Sequence, residues 1–214
     1  MNIVRWALLL GVIPLGGVIP LGPASAWAQG GGPDSVVYVL SAASRFEVKT
    51  GKAGLLGFAG HTHVVRARGF AGRVVYYPTA PSESRLEIVV PADSLAVLTP
   101  PDTEEIRKVT QTMRTDVLHV DDYPVISFVS TGVTPTVDGF QVQGRLTLAG
   151  QTRDVSCDVR AAVGTDTLRA TGEFSVKQTD YGIRPYRGGP AGSVRVADRV
   201  TFSFEAVAIR SPGP

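Results

Sequence analysis

Two of the chain's three histidines stand one residue apart, at His61 and His63, in the run from Gly57 to Val65. On an extended strand, residues two apart share a face at roughly 7 Å, so both imidazoles could ligate one Zn²⁺ or Cu²⁺ if a third donor arrived. The donors on offer are His119, Asp116, Asp121 and Asp122. None stands in a recognised ligand spacing, and neither Cys-x-x-Cys nor His-Glu-x-x-His occurs. The pattern predicts that His61 and His63 are polar tips that hydrogen-bond a ligand head group or backbone. The alternative is a metal-binding or metal-dependent protein built on the same two residues. No cofactor is expected.

Catalysis finds less support. Ser127, Ser130 and Ser203 fall in strand-like sequence without a Gly-x-Ser-x-Gly elbow, and no carboxylate pair stands beside a histidine in an acid and base arrangement. The expectation is a binding protein, not an enzyme. Cys157 is the single cysteine, which excludes an intramolecular disulfide, and its place in an apolar alternation reads as a small buried hydrophobe. His119 follows a helix-like segment, where it suits the carbonyl end of the dipole.

The elements that would position these residues are strands. Apolar residues alternate with polar ones at Phe140, Val142, Gly144, Leu146 and Leu148, and at Val155, Cys157, Val159 and Ala161. The same period runs through Leu168, Ala170, Gly172, Phe174 and Val176, and through Val200, Phe202, Phe204, Ala206 and Ala208. Turn signals at Asp138-Gly139, Ala149-Gly150 and Gly164-Thr165 separate them, which predicts consecutive antiparallel hairpins. Earlier strands are predicted at 36–40, 45–49, 61–69, 71–77, 85–90 and 125–130, the first two as one strand broken at Ser41-Ala42-Ala43.

One stretch departs from period two. Ile106, Val109, Met113 and Val117 recur at helical spacing after Pro100-Pro101, with Asp102 and Glu105 placed as a capping box. The fold class is therefore all-β, an antiparallel β-barrel of about eight strands with one amphipathic helix in a long connection. Such a barrel is wide enough either to be filled by side chains or to hold one small ligand. The small inward residues Gly144, Ala170, Gly172, Ala206 and Ala208 tilt the expectation towards a ligand space lined by Val142, Leu146, Ala170, Gly172, Phe174, Phe202 and Phe204.

Charge and ends narrow the class further. A net charge of +2, with no basic run of five or more, excludes a nucleic-acid footprint, while mild basicity leaves transient membrane contact open. Arg5, the apolar run from Trp6 to about Leu21 and Ala26-Trp27-Ala28 read as a cleaved signal peptide over residues 1–28. Residues 29–35, rich in glycine, read as a linker, and 36–210 as one barrel domain. The expected location is periplasmic or secreted. The oligomeric state is left open, a homodimer included.

Several runs in order resemble the YceI-like family of exported, lipocalin-like barrels that bind polyisoprenoid or other long amphiphilic lipids. They are Ser41 to Gly72, Ile88 to Leu95, Met113 to Thr131 with its Tyr123-Pro124, Val142 to Val155, Phe174 to Ile183, and Val196 to Ala208. The resemblance implies an apolar barrel that sequesters a polyisoprenoid, an isoprenoid quinone or a fatty-acid-like ligand. Two departures stand out: Gln178-Thr179-Asp180-Tyr181-Gly182 replaces the family's Ser-Asp-Phe-Gly pattern, and Gly60-His61-Thr62-His63 resembles a sub-branch with a Gly-His-x-His signature. The Asp180 to Arg195 segment reads as a mobile loop whose Tyr181, Arg184, Tyr186 and Arg187 could meet a polar head group.

Overall fold

The computed structural model describes residues 34–52, 63–98, 103–188 and 194–212. The strands are β1 (Val36–Leu40), β2 (Arg45–Lys52), β3 (Val64–Ala67), β4 (Ala71–Tyr76), β5 (Arg85–Pro91) and β6 (Leu95–Val97). After helix α1 (Thr103–Thr112) come β7 (Val125–Thr136), β8 (Gly139–Leu148), β9 (Gln151–Val163), β10 (Thr167–Lys177), β11 (Arg187–Gly188) and β12 (Val194–Arg210). All pairings are antiparallel, and the ring β1-β4-β5-β7-β8-β9-β10-β12 returns to β1. The closed, all-β barrel of eight strand positions agrees with the sequence pattern.

Three of those positions are broken strands. β1 and β2 both pair with β12, and the break between them lies opposite Val207. There the buried Ser44 hydroxyl accepts from the Val207 amide and donates to the Val207 carbonyl, both at 3.0 Å, which replaces the missing ladder bonds. The breaks after β3 and β5 face each other, where Ser94 Oγ donates to the Gly69 carbonyl at 3.0 Å. β6 was not anticipated as a separate strand, and β7 runs six residues beyond its expected end at Ser130 because a bulge between Ser130 and Gly132 bends it without ending the ladder.

Helix α1 lies where it does for a backbone reason as well as an apolar one. β6 pairs on one side with β3. On its other side the Val97 amide donates to Thr110 Oγ1 at 3.3 Å, and Arg114 Nη2 donates to the Leu95 carbonyl at 2.9 Å. Helix side chains thus cover a strand edge that would otherwise be open. A wide helical turn, Met113–Val117, continues the helix, and His119 stops it in a left-handed conformation, φ 48°. Val120 then donates its amide to the Arg114 carbonyl at 3.0 Å, a C-terminal closure of the backbone. The Asp102 cap anticipated for this helix lies outside the described residues.

One seam in the wall is incomplete. β9 and β10 pair from Val163–Leu168 as far as Asp158–Glu173, and the ladder ends there. The 3-10 turn Gln178–Tyr181 comes next, and its Tyr181 is only 2% exposed. Thr179 holds this turn on β12: its amide and hydroxyl donate to the Asp198 carboxylate at 2.9 and 2.8 Å, while Gln178 Nε2 donates to the Ala197 carbonyl at 2.8 Å.

Candidate functional site

The interior does not close into one core. Three buried clusters ring it: Tyr38, Leu168, Ala170, Ala206 and Ala208; Leu146, Leu148, Val176, Tyr181, Ile183 and Val200; and Val65, Ala67, Val90, Leu95 and Val97. Between them lies a cavity of about 640 Å³, walled by inward residues of β1 to β10 and β12 and by Val109, Met113 and Val117 of the helical segment. That volume falls within the roughly 300–1,000 Å³ usual for small-molecule sites.

Exposure tells which end is open. Around the β9–β10 turn, Ala208 is fully buried, Leu168 is 6% exposed, and the Tyr38 hydroxyl donates to the Gly164 carbonyl at 2.7 Å. At the helix end, Glu105, Lys108, Tyr186 and Arg195 line the same cavity while exposed to solvent. His63, Thr50 and Gln178 join them on the lining. The cavity is therefore apolar along its length, with a mouth that carries charges and hydrogen-bonding groups.

The anticipated lining residues divide. Val142, Leu146, Ala170, Phe174, Phe202 and Phe204 lie on the cavity wall, with Phe174 and Phe202 stacked at 5.1 Å. Gly172 is not on that wall. A Cβ there would meet the Phe204 ring at 2.8 Å and the Asp158 carbonyl oxygen at 2.9 Å, so its space is already taken by an aromatic ring. Gly144 seats Phe128 in the same way. Small residues in this barrel make room for phenylalanines on the neighbouring strand as well as for a ligand.

At the mouth, His63 is half-buried, and its backbone amide donates to Thr50 Oγ1 at 3.2 Å. His61 lies outside the described residues. Among the described residues no group of three His, Cys, Asp or Glu could hold a metal ion. Arg184 is exposed and off the cavity wall, whereas Tyr186 is on it. The loop around them is partly ordered by β11, which pairs Arg187 with Arg195. The wall positions of Val109, Met113 and the polar set Glu105, Lys108 and Arg195 were not foreseen as site residues, although the helical apolar stripe was their one visible signal.

Two buried groups report on the dryness of the wall. Burial, aided by Asp158 and Glu173, pushes the Cys157 thiol up to about 11, so it is a neutral wall group at ordinary pH. Tyr181 belongs to a wall cluster rather than to the cavity lining; burial raises its phenol, against the opposing charge of Arg153. On the surface, the Thr179 amide and then its hydroxyl hold the Asp198 carboxyl below the usual carboxylate range.

A closed antiparallel barrel with a helix across one end and an apolar cavity reached through a polar mouth defines a lipocalin-like barrel. The family model described as the YceI-like domain matches residues 39–208, and the chain belongs to that family. Its fold is similar to that of BcnA from Burkholderia cenocepacia, with TM-score 0.62 and 19% identity over 78% of this chain and 98% of that one. It is also similar to a polyisoprenoid binding domain from Saccharophagus degradans implicated in plant cell wall breakdown, with TM-score 0.57 and 14% identity over 82% and 98%. The YceI protein of Campylobacter jejuni matches at TM-score 0.53 and 15% identity over 69% and 85%. No curated protein matches the chain.

Proposed function

We propose that this chain is an exported carrier that sequesters a long-chain amphiphile, with the tail along the barrel and the head group at the helix-covered mouth. The observation that carries the reading is the apolar cavity of about 640 Å³ whose solvent-exposed lining near the helix, among the described residues, carries polar and charged groups at Glu105, Lys108, Tyr186 and Arg195. Each tail methylene removed from water contributes about 0.8 kcal/mol, so an apolar bore binds a chain strongly and leaves selection to the mouth. The polyisoprenoid named for one structural relative is one ligand of this class, and isoprenoid quinones and fatty-acid-like chains are others. Export rests on the signal-like pattern of residues 1–28, and a periplasmic or secreted location follows from it. Delivery of such a ligand involves transient contact with a membrane. His63 serves the head group through its place on the lining, and His61 is assigned the same role from its spacing.

Native mass spectrometry of protein purified from its own host, with lipid extraction, tests this directly. The expected result is a lipid adduct that is reduced in Val109→Trp, because residue 109 faces the cavity from the helix. Protein that is lipid-free as isolated and takes up no amphiphile on reconstitution would overturn the reading.

A further inference from the structure

The incomplete seam between β9 and β10 holds a second pocket, separate from the mouth. Its wall includes Val155, Phe174 and Val176 from the inward register and Asp154, Ser156 and Ser175 from the outward one. A pocket that touches both faces of neighbouring strands passes between them, and the ladder does end at Asp158–Glu173. Phe174 also lines the central cavity, so it borders both spaces.

Tyr181 forms part of this pocket. Its residue is 2% exposed, and its hydroxyl is buried with no hydrogen-bond partner. A buried donor without a partner is costly, and native proteins retain few of them. The turn that places it is held by Thr179 on Asp198 and Gln178 on Ala197, so the position is built rather than incidental. The charged groups around the pocket are Arg153 against Asp154 and Asp180, one cation to two carboxylates. That balance disfavours an anion and suits a neutral acceptor.

We propose that the β9–β10 seam is a lateral subsite in which Tyr181 donates a hydrogen bond to a neutral acceptor, such as a carbonyl oxygen, on the bound amphiphile. The proposal rests on the carrier reading for the rest of the ligand. It assigns Tyr181 a recognition role distinct from that of the mouth residues.

Tyr181→Phe keeps the shape and removes only the donor. Thermal unfolding of lipid-stripped wild type and variant is compared, beside NMR titrations with cyclohexanone and methylenecyclohexane, which share a shape and differ in the acceptor. The variant is expected to unfold at a higher temperature, because an unpaired buried hydroxyl is gone. In the wild type, cyclohexanone shifts the amide signals of Val155, Val176 and Tyr181 and binds roughly fivefold more tightly than its analogue, a preference that the variant loses. An unchanged or lower unfolding temperature would mean that protein or solvent already satisfies the hydroxyl, and would overturn the proposal. Equal binding of the two probes by the wild type would overturn it as well. If lipid extraction still yields an adduct in either case, the carrier reading stands and the lateral subsite alone fails; ketone preference in a protein that never carries lipid sinks the carrier reading instead.

Discussion

The two ends of the barrel are built from the same alternating strands and come out differently. Around the β9–β10 turn, Tyr38, Leu168, Ala206 and Ala208, on the neighbouring strands β1, β10 and β12, pack into one buried cluster. At the helix end, Val109, Met113 and Leu118 approach the β3–β6 cluster but stay only partly buried, and the cavity runs between them. What differs is the closing element. One end is sealed by the barrel's own side chains, the other by a helix laid over a strand edge. Burial at the first end is shared tightly among neighbours; burial at the second is provisional, and a ligand would complete it.

The largest effect that would sharpen this contrast lies at a glycine. A Cβ at Gly144 would run into the Phe128 ring and stand 2.7 Å from the Val129 carbonyl oxygen, which is backbone and cannot step aside. Gly144→Ala is expected to cost about 2–3 kcal/mol in urea unfolding, an overpacking penalty. Gly172→Phe should behave alike for the same reason, as a lesion of the wall rather than a plug of the cavity. A variant as stable as the wild type would show that the barrel wall is looser than its geometry implies.

Next come two truncations at opposite ends. Leu168→Ala removes a side chain that is 6% exposed and packed in the cluster at the β9–β10 turn, where it borders the inner end of the cavity, and should cost about 2 kcal/mol. Met113→Ala removes a half-buried side chain that already borders empty space, and should cost about 1 kcal/mol or less. Equal losses, measured at unchanged denaturant slope, would erase the distinction between a packed and a hollow end.

The smallest expected effect concerns the wall thiol. Because folding raises the Cys157 thiol from 9.0 to about 11, the unfolded chain gives up this proton first as pH rises. Its contribution to stability is fully present below about pH 9 and is lost as the pH climbs through about 11. Cys157→Ala should flatten that part of the alkaline stability profile, and thiol labelling of the native wild type at neutral pH should be slow. Rapid labelling of the folded protein would show that the cavity wall at this point is wet.

How much was legible beforehand differs by element. The hairpins from β7 to β10 and the final strand could be read from alternation, since a strand with one buried face must repeat its apolar residues every two positions. The loop from Asp180 to Arg195 could be read only as loop, because the pairing of Arg187 with Arg195 has no pattern shorter than the fold itself. The same holds for Tyr181. It was legible as an aromatic beside a turn, but that it would be buried with an unpaired hydroxyl depends on where β9 and β10 part.

By itself, then, the sequence determined the class of element, the order of the hairpins and which face of each strand turns inward, because periodicity and turn chemistry are local properties. Whether that inward set would meet or leave a cavity was decided only in three dimensions. Gly144 and Gly172 looked like empty space along the chain, yet rings from adjacent strands occupy the room beside them. Lys108 and Arg195 were unremarkable charges, and Glu105 only a capping-box residue, until the helix and β12 carried them to one rim. Volume and charge convergence depend on register between strands far apart in the chain, and no local pattern records that register.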